Sequence, residues 1–261
     1  MFNIFGFYKF KKLSNLKKLK NRLENNLKEY EICGTIIISS EGVNGTISAK
    51  KDKLLKFNKL LKKILSIKKF NSENNSNSKF NPFHKPKVKI KKEVVPMGFK
   101  VRNYNYPSNN LNPRQWNKII KKKDTILIDA RKSFEYDVGT FKKSLNPNIE
   151  NFRQFPKYLN QFKNSENIAM FCTGGIRCEK ANIYLKKKGF KNVYVLKGGI
   201  INYLNNIDKK NSQWSGECFV FDNRVSIKHG LKQGSYSVCS GCRKPLSCLL
   251  YTSPSPRDRN V

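Results

Sequence analysis

No apolar stretch in this chain of 261 residues approaches the roughly 20 residues that span a bilayer, so no membrane crossing is expected. Acidic residues are scarce. There are 18 Asp and Glu against 53 Lys and Arg, a net charge of +35. That imbalance favours a polyanionic partner, nucleic acid first. Most of the basic residues are Lys, in a chain also rich in Asn and Ile, the pattern of an AT-rich coding sequence. The charge therefore supports an RNA substrate without establishing one. The seven cysteines are odd in number and lack the density of a small disulfide scaffold, which fits a reducing compartment. At the start, the apolar run Met1 to Phe10 precedes Lys11 and Lys12, the reverse order of a secretory leader. A folded cytoplasmic protein is expected.

What is present divides into blocks. Residues 2–8 read as a short aromatic strand, and Leu13, Leu16, Leu19, Leu23 and Leu27 follow at helical spacing. Ile32 to Ile38 reads as a buried strand, Glu41 to Gly45 as a turn, and Thr46-Ile47-Ser48 as the opening of a second strand. Leu54 to Leu65 has helical periodicity, the Asn/Ser-rich stretch 71–81 reads as a loop, and Val88 to Val95 alternates as a strand. The order βαββαβ predicts a ferredoxin-like domain over residues 1–96. Residues 97–123 read as a linker. From 124 to 211 the rhythm is α/β: strands at Thr125–Asp129, Asn167–Phe171 and Val193–Leu196, and a helix from Cys178 to Lys188 ended by Gly189. That alternation predicts a parallel sheet with crossover helices and a ligand site at the carboxyl ends of its strands. A cysteine-containing segment occupies 212–247. Residues 248–261, nearly free of Lys, read as a foreign end and are set aside.

The chemistry concentrates at Cys172. A buried strand runs into it, and Thr173-Gly174-Gly175-Ile176 leads to Arg177 and a helix. Adjacent glycines let backbone N–H groups turn inward as an anion nest. The helix start and the Arg177 charge favour thiolate over thiol. Such a nest would also hold a persulfide or an oxidised sulfur. Cysteine phosphatases place five residues between Cys and Arg, whereas four intervene here, which suits a sulfur-sized group better than a phosphate. Cys178 could resolve an oxidised Cys172, or simply pack. Asp129 and Arg131 are placed as an ion pair bracing the loop.

The run Phe171 to Ala181 resembles a signature of the rhodanese-domain tRNA uridine(34) hydroxylases, the TrhO family. So do Glu41 to Thr46, Lys91 to Val95, and Trp214 to Asp222. Asp129-Ala130-Arg131, Glu135-Tyr136 and Gly139-Thr140-Phe141 resemble a rhodanese opening. The resemblance covers roughly 1–247. It implies a rhodanese-like second domain and oxygen-dependent conversion of the wobble uridine of tRNA to 5-hydroxyuridine. Cys172 would be essential, with molecular oxygen and an unidentified electron donor as co-substrates. It also draws Glu41 and Asn44 toward the RNA or the active site, where the residues alone suggest a hairpin turn. Cys239 and Cys242 have zinc-ligand spacing, and the resemblance implies a second such pair further on, which the chain lacks; no metal is expected. The basic-aromatic run Phe99 to Tyr104 suits a single-stranded anticodon loop. Two rival functions stay open: a sulfurtransferase carrying sulfane sulfur on Cys172, and a tRNA-binding protein without catalysis.

Overall fold

The structure, a computed structural model, describes residues 1–104, 106 and 108–247. The expectation for 248–261 lies outside these. The first domain runs β1 (Phe2–Phe10), α1 (Leu16–Glu29), β2 (Cys33–Ser39), β3 (Gly42–Ala49), α2 (Lys51–Ile64), β4 (Ser72–Ser78) and β5 (Pro86–Ile90). The sheet order is β4-β1-β3-β2-β5, with β5 parallel to β2 and the other pairs antiparallel. The helices cover one face only. Leu23 and Leu27 of α1, and Leu54, Phe57 and Leu61 of α2, pack onto Phe5, Phe7, Ile36, Ile38 and Ile47. Each such side chain contributes about 2 kcal/mol on burial. The opposite face carries Gly6, Tyr8, Asn44, Thr46 and Asn74 and turns toward the second domain.

Two elements differ from expectation here. The stretch 71–81 is not a loop, because its central residues form β4 and pair with β1 from Phe2↔Ser78 to Tyr8↔Ser72. Ser-Glu-Asn-Asn-Ser-Asn-Ser has almost no intrinsic strand preference; pairing with β1 overrides it. The fourth strand of the βαββαβ unit is therefore β4. The Val88 to Val95 segment supplies an added edge strand, which ends at Ile90. Val94 and Val95 are buried as coil between the domains.

The second domain adds β6 (Asn109–Leu111), α3 (Pro113–Ile119), β7 (Thr125–Asp129), α4 (Ser133–Val138), β8 (Gly139–Phe141), α5 (Phe155–Leu159), β9 (Asn167–Phe171), α6 (Ile176–Lys187), β10 (Val193–Leu196) and α7 (Gly199–Asn206). Strands β6-β10-β9-β7 form a parallel sheet. The stretch read as linker therefore contributes a strand and a capped helix to this sheet. Asn112 accepts N–H bonds from Arg114 and Gln115, and Trp116 is fully buried. Beyond it, β11 (Trp214–Gly216) pairs with β8, and Trp214 packs edge-on against Phe141 at 5.1 Å. β12 (Cys218–Phe219) and β13 (Ser226–Ile227) form a small hairpin, as do β14 (Tyr236–Val238) and β15 (Pro245–Ser247). Among the described residues no helix is long and apolar enough to cross a membrane.

A buried ion cluster joins the domains. Lys180 of α6 is fully buried, and its Nζ donates to Glu41 Oε1 at 2.6 Å, Glu93 Oε2 at 2.7 Å and the Val95 carbonyl at 2.8 Å. Glu41 also accepts the N–H groups of Val94 and Val101. A second tie links β1 to α6: Tyr8 Oη donates to Glu179 Oε2 at 2.6 Å, and Asn71 donates to Glu179 Oε1 at 2.7 Å.

Candidate active site

Strand β9 is buried from Ile168 to Phe171 and delivers Cys172 to its carboxyl end. The chain then turns through Thr173-Gly174-Gly175 into α6. Gly175 sits at φ +98°, a conformation that favours glycine, and its N–H donates to Cys172 Sγ at 3.2 Å. The start of α7 closes the loop from the other side, with Ile200 N–H on the Cys172 carbonyl at 3.0 Å and Ile201 N–H on the Thr173 carbonyl at 3.1 Å. Gly199 makes this contact possible, since a Cβ there would lie 2.4 Å from the Cys172 carbonyl oxygen. The Gly198-Gly199 pair after β10 was the visible signal for it.

Three buried cysteines show what the loop does. Burial pushes the Cys218 thiol up to about 12, and burial together with the neighbouring Cys172 sulfur raises Cys178. Burial alone would raise Cys172 too. There the Cys178 thiol, the Arg177 charge and the N–H groups of Cys178 and Gly175 outweigh it, bringing the value down to about 6. Cys172 is thus a thiolate at neutral pH, with Cys178 as a donor to it. Alkylation of Cys172 by iodoacetamide, followed by mass spectrometry, is expected to rise with pH through a midpoint of about 6 and level off above it, while Cys218 stays unmodified. Arg177→Gln should move that midpoint up. A wild-type midpoint in the ordinary cysteine range would refute the thiolate assignment.

Arg177 is held by a partner that sequence reasoning did not single out. Its two terminal nitrogens donate to the two oxygens of Glu135, each at 2.8 Å. Glu135 is fully buried on α4; burial would raise its carboxyl, but Arg177 and then Arg131 hold it below the usual range. The Glu135-Tyr136 dipeptide was its only trace in the sequence. Asp129 and Arg131 do pair, at 2.6 Å and buried, but Arg131 also donates to the Gly139 carbonyl at 2.6 Å. The pair ties β7 to β8, and no hydrogen bond runs from it to the Cys172 loop among the described residues.

Cys172 opens onto a cavity of about 490 Å³ between the domains. Thr173, Gly174, Ile176 and Arg177 line it on one side; Gly6, Tyr8, Asn44, Thr46 and Asn74 line it on the other. Asn44 therefore lies at the cavity wall. Glu41 does not, because it is fully buried with both carboxylate oxygens occupied by Lys180, Val94 and Val101. A separate hollow of about 500 Å³, lined by Leu16, Lys91, Lys92 and Glu93 among others, includes no cysteine. Cys239 and Cys242 lie around the turn from β14 to β15, and no group of three or more Cys, His, Asp or Glu suited to a metal gathers among the described residues. Phe99 is engaged by Tyr184, with ring centroids at 5.6 Å, so only part of the Phe99 to Tyr104 run is open to RNA.

A parallel sheet whose inner strand presents a cysteine in a six-residue loop, closed by an arginine and a helix N-terminus, defines a rhodanese-like domain. Rhodanese-like domains match residues 112–206, and the UPF0176 acylphosphatase-like domain matches residues 2–94. A tRNA uridine(34) hydroxylase of Pelagibacter ubique is 64% identical over 95% of this chain and 82% of its own length. Proteins of the same name from Prochlorococcus marinus and Acinetobacter baumannii are 45% and 42% identical, over 94% and 92% of this chain and 81% and 77% of theirs. The chain belongs to the tRNA uridine(34) hydroxylase family.

Proposed function

We propose that this protein converts the wobble uridine of tRNA to 5-hydroxyuridine and that Cys172 is the group on which the reaction depends. The observation that carries this is the Cys172 thiolate, held at about 6, at the wall of a cavity of about 490 Å³ built from both domains. That volume falls within the range of small-ligand sites and admits one extruded nucleoside. A wobble base lies in a single-stranded loop, so it can be splayed out at little cost. The net charge of +35 supplies the attraction for the phosphate backbone. Replacing C5–H by C5–OH with molecular oxygen consumes two electrons and two protons and releases water. A two-electron donor is therefore a co-substrate alongside oxygen.

Nucleoside mass spectrometry of tRNA from cells lacking the hydroxylase, complemented with this chain, tests the assignment. The expected result is the return of 5-hydroxyuridine. Thiocyanate formation from thiosulfate and cyanide, without 5-hydroxyuridine, would replace it with sulfane-sulfur transfer. Salt-sensitive tRNA binding with neither product would replace it with binding alone.

A further inference from the structure

The first domain turns a sheet face toward Cys172, and the composition of that face is unusual for a strand interior. Cross-strand pairing sets two rungs side by side: Asn74–Gly6–Thr46 and Ser72–Tyr8–Asn44. Gly6 lies on the inner strand β1, in ordinary extended backbone. A Cβ built there would meet nothing closer than Thr46 Oγ1 at 3.8 Å. No turn or close packing requires glycine at this place, and the open space above it leaves room for close approach of a ligand. The polar groups around it fit the same use. The side chains of Asn44 and Thr46 line the cavity and have no hydrogen-bond partner among the described residues. Asn74 Nδ2 donates to the Gly198 carbonyl at 3.1 Å, which fixes the amide and leaves Oδ1 as an acceptor. At the cavity edge, Phe221 is 65% exposed although it belongs to a buried hairpin region, with its ring edge-on to Phe219 at 5.0 Å.

We propose that this face is the base-reading surface for the target uracil, with Phe221 as its stacking platform and Asn74, Asn44 and Thr46 as the groups that read its edge. The inference rests on the function proposed above and adds to it which residues choose the base. Uracil presents N3–H between two carbonyl oxygens. A fixed Asn74 Oδ1 accepts from that N3–H, whereas the N3 of cytosine is itself an acceptor and would face it unpaired. Of the two flanking carbonyls, O4 is the one cytosine lacks, and Asn44 and Thr46 supply donors for it. The bare floor at Gly6 gives the flat ring room above β1. Phe221 offers a π face, which any base can use, so it contributes affinity rather than choice. The reading groups come from the first domain and the thiolate from the second, so neither domain alone would recognise and modify the base.

The test uses the full chain and anticodon stem-loop RNAs carrying uridine or cytidine at position 34. The wild type should bind the uridine loop more tightly. Asn74→Ala and Thr46→Val should each weaken it roughly five- to tenfold with little effect on the cytidine loop, the usual consequence of losing one hydrogen bond to a neutral group. Gly6→Val should abolish the preference by filling the floor. Phe221→Ala, at an exposed position that carries no fold, should weaken both loops by roughly tenfold or more. In all four, the pH profile of Cys172 alkylation should stay that of the wild type, showing an intact second domain. Wild-type preference retained in Asn74→Ala, Thr46→Val and Gly6→Val would overturn the proposal, as would unchanged binding in Phe221→Ala. These outcomes separate from the function itself: a wild type that prefers uridine but forms no 5-hydroxyuridine would refute the hydroxylase assignment alone. Variants that bind and modify as the wild type does would refute the base-reading surface alone.

Discussion

Cys172→Ser is expected to abolish 5-hydroxyuridine formation, by a thousandfold or more on the scale of nucleophile deletions, while leaving the fold and the affinity for tRNA in place. The site shows why so small a change should do so much. Every feature around Cys172 acts on a sulfur anion: Gly175 N–H at 3.2 Å, the charge of Arg177, and the Cys178 donor. A serine hydroxyl is far too weak an acid to ionise there at neutral pH, so the same donors would face a neutral oxygen. The volume change is small and the backbone contacts of the loop, from Ile200 and Ile201 to its carbonyls, do not involve the side chain. Thermal stability should therefore change little. Measuring the modified nucleoside, tRNA binding and the melting temperature on the same preparation separates loss of chemistry from loss of structure. Substantial 5-hydroxyuridine from the serine protein would remove the thiolate from the reaction. An equal loss of binding would mean that the substitution had damaged the cavity.

Much of that site was legible in the sequence because it is local. A buried strand, one cysteine, two glycines, one arginine and a helix follow each other within eleven residues, and each type has one dominant physical reason to stand there. What was not legible depends on partners far away in the chain. The stretch 71–81 looks like a loop by composition, yet it forms β4 because β1 offers an open edge. Its polar residues make sense only once the second domain faces them: Asn71 bonds Glu179, Asn74 bonds Gly198, and Ser76 accepts from Arg224. Glu41 was misplaced for the same reason. A turn beside two glycines suggests exposure, but Lys180, 139 residues away, draws the carboxylate inward. Glu135, paired with Arg177 across 42 residues, likewise leaves no local pattern. Local chemistry can be read from one chain segment; partners distant in the chain, across the domain boundary or within one domain, cannot.

The second large effect is expected at that boundary. Lys180→Met should lower stability by about 3–5 kcal/mol, the cost of leaving a buried charge without its partner. For a chain of this size that is a fall of roughly 10 °C in melting temperature. Methionine keeps the length of the buried stem, so the loss comes from the ammonium rather than from a hole. Glu41 would retain only the N–H groups of Val94 and Val101, and the Val95 carbonyl would lose its donor. Glu93 adds a pH dependence. Burial would raise the Glu93 carboxyl, but Lys180 and the N–H groups of Met97 and Gly98 hold it below its ordinary value. A carboxylate lowered in this way stabilises the fold above its ordinary pKa, and that contribution is lost as the pH falls through the lowered one. The gap between wild type and Lys180→Met should accordingly narrow in acid. The double variant Glu41→Gln/Lys180→Met should recover part of the loss, because it no longer buries an unpaired anion. Activity should suffer beyond what stability explains. Lys180 lies on the helix that begins at the Cys172 loop, and its partners belong to the first domain, so loss of the cluster is expected to change the spacing of the thiolate and the Gly6 face. Thermal melts across pH, with single-turnover modification measured well below the melting temperature, check both parts. A Lys180→Met protein that melts with the wild type would show that the cluster does not hold the domains together. One that melts earlier yet modifies tRNA at the full rate would show that the cavity keeps its width without it.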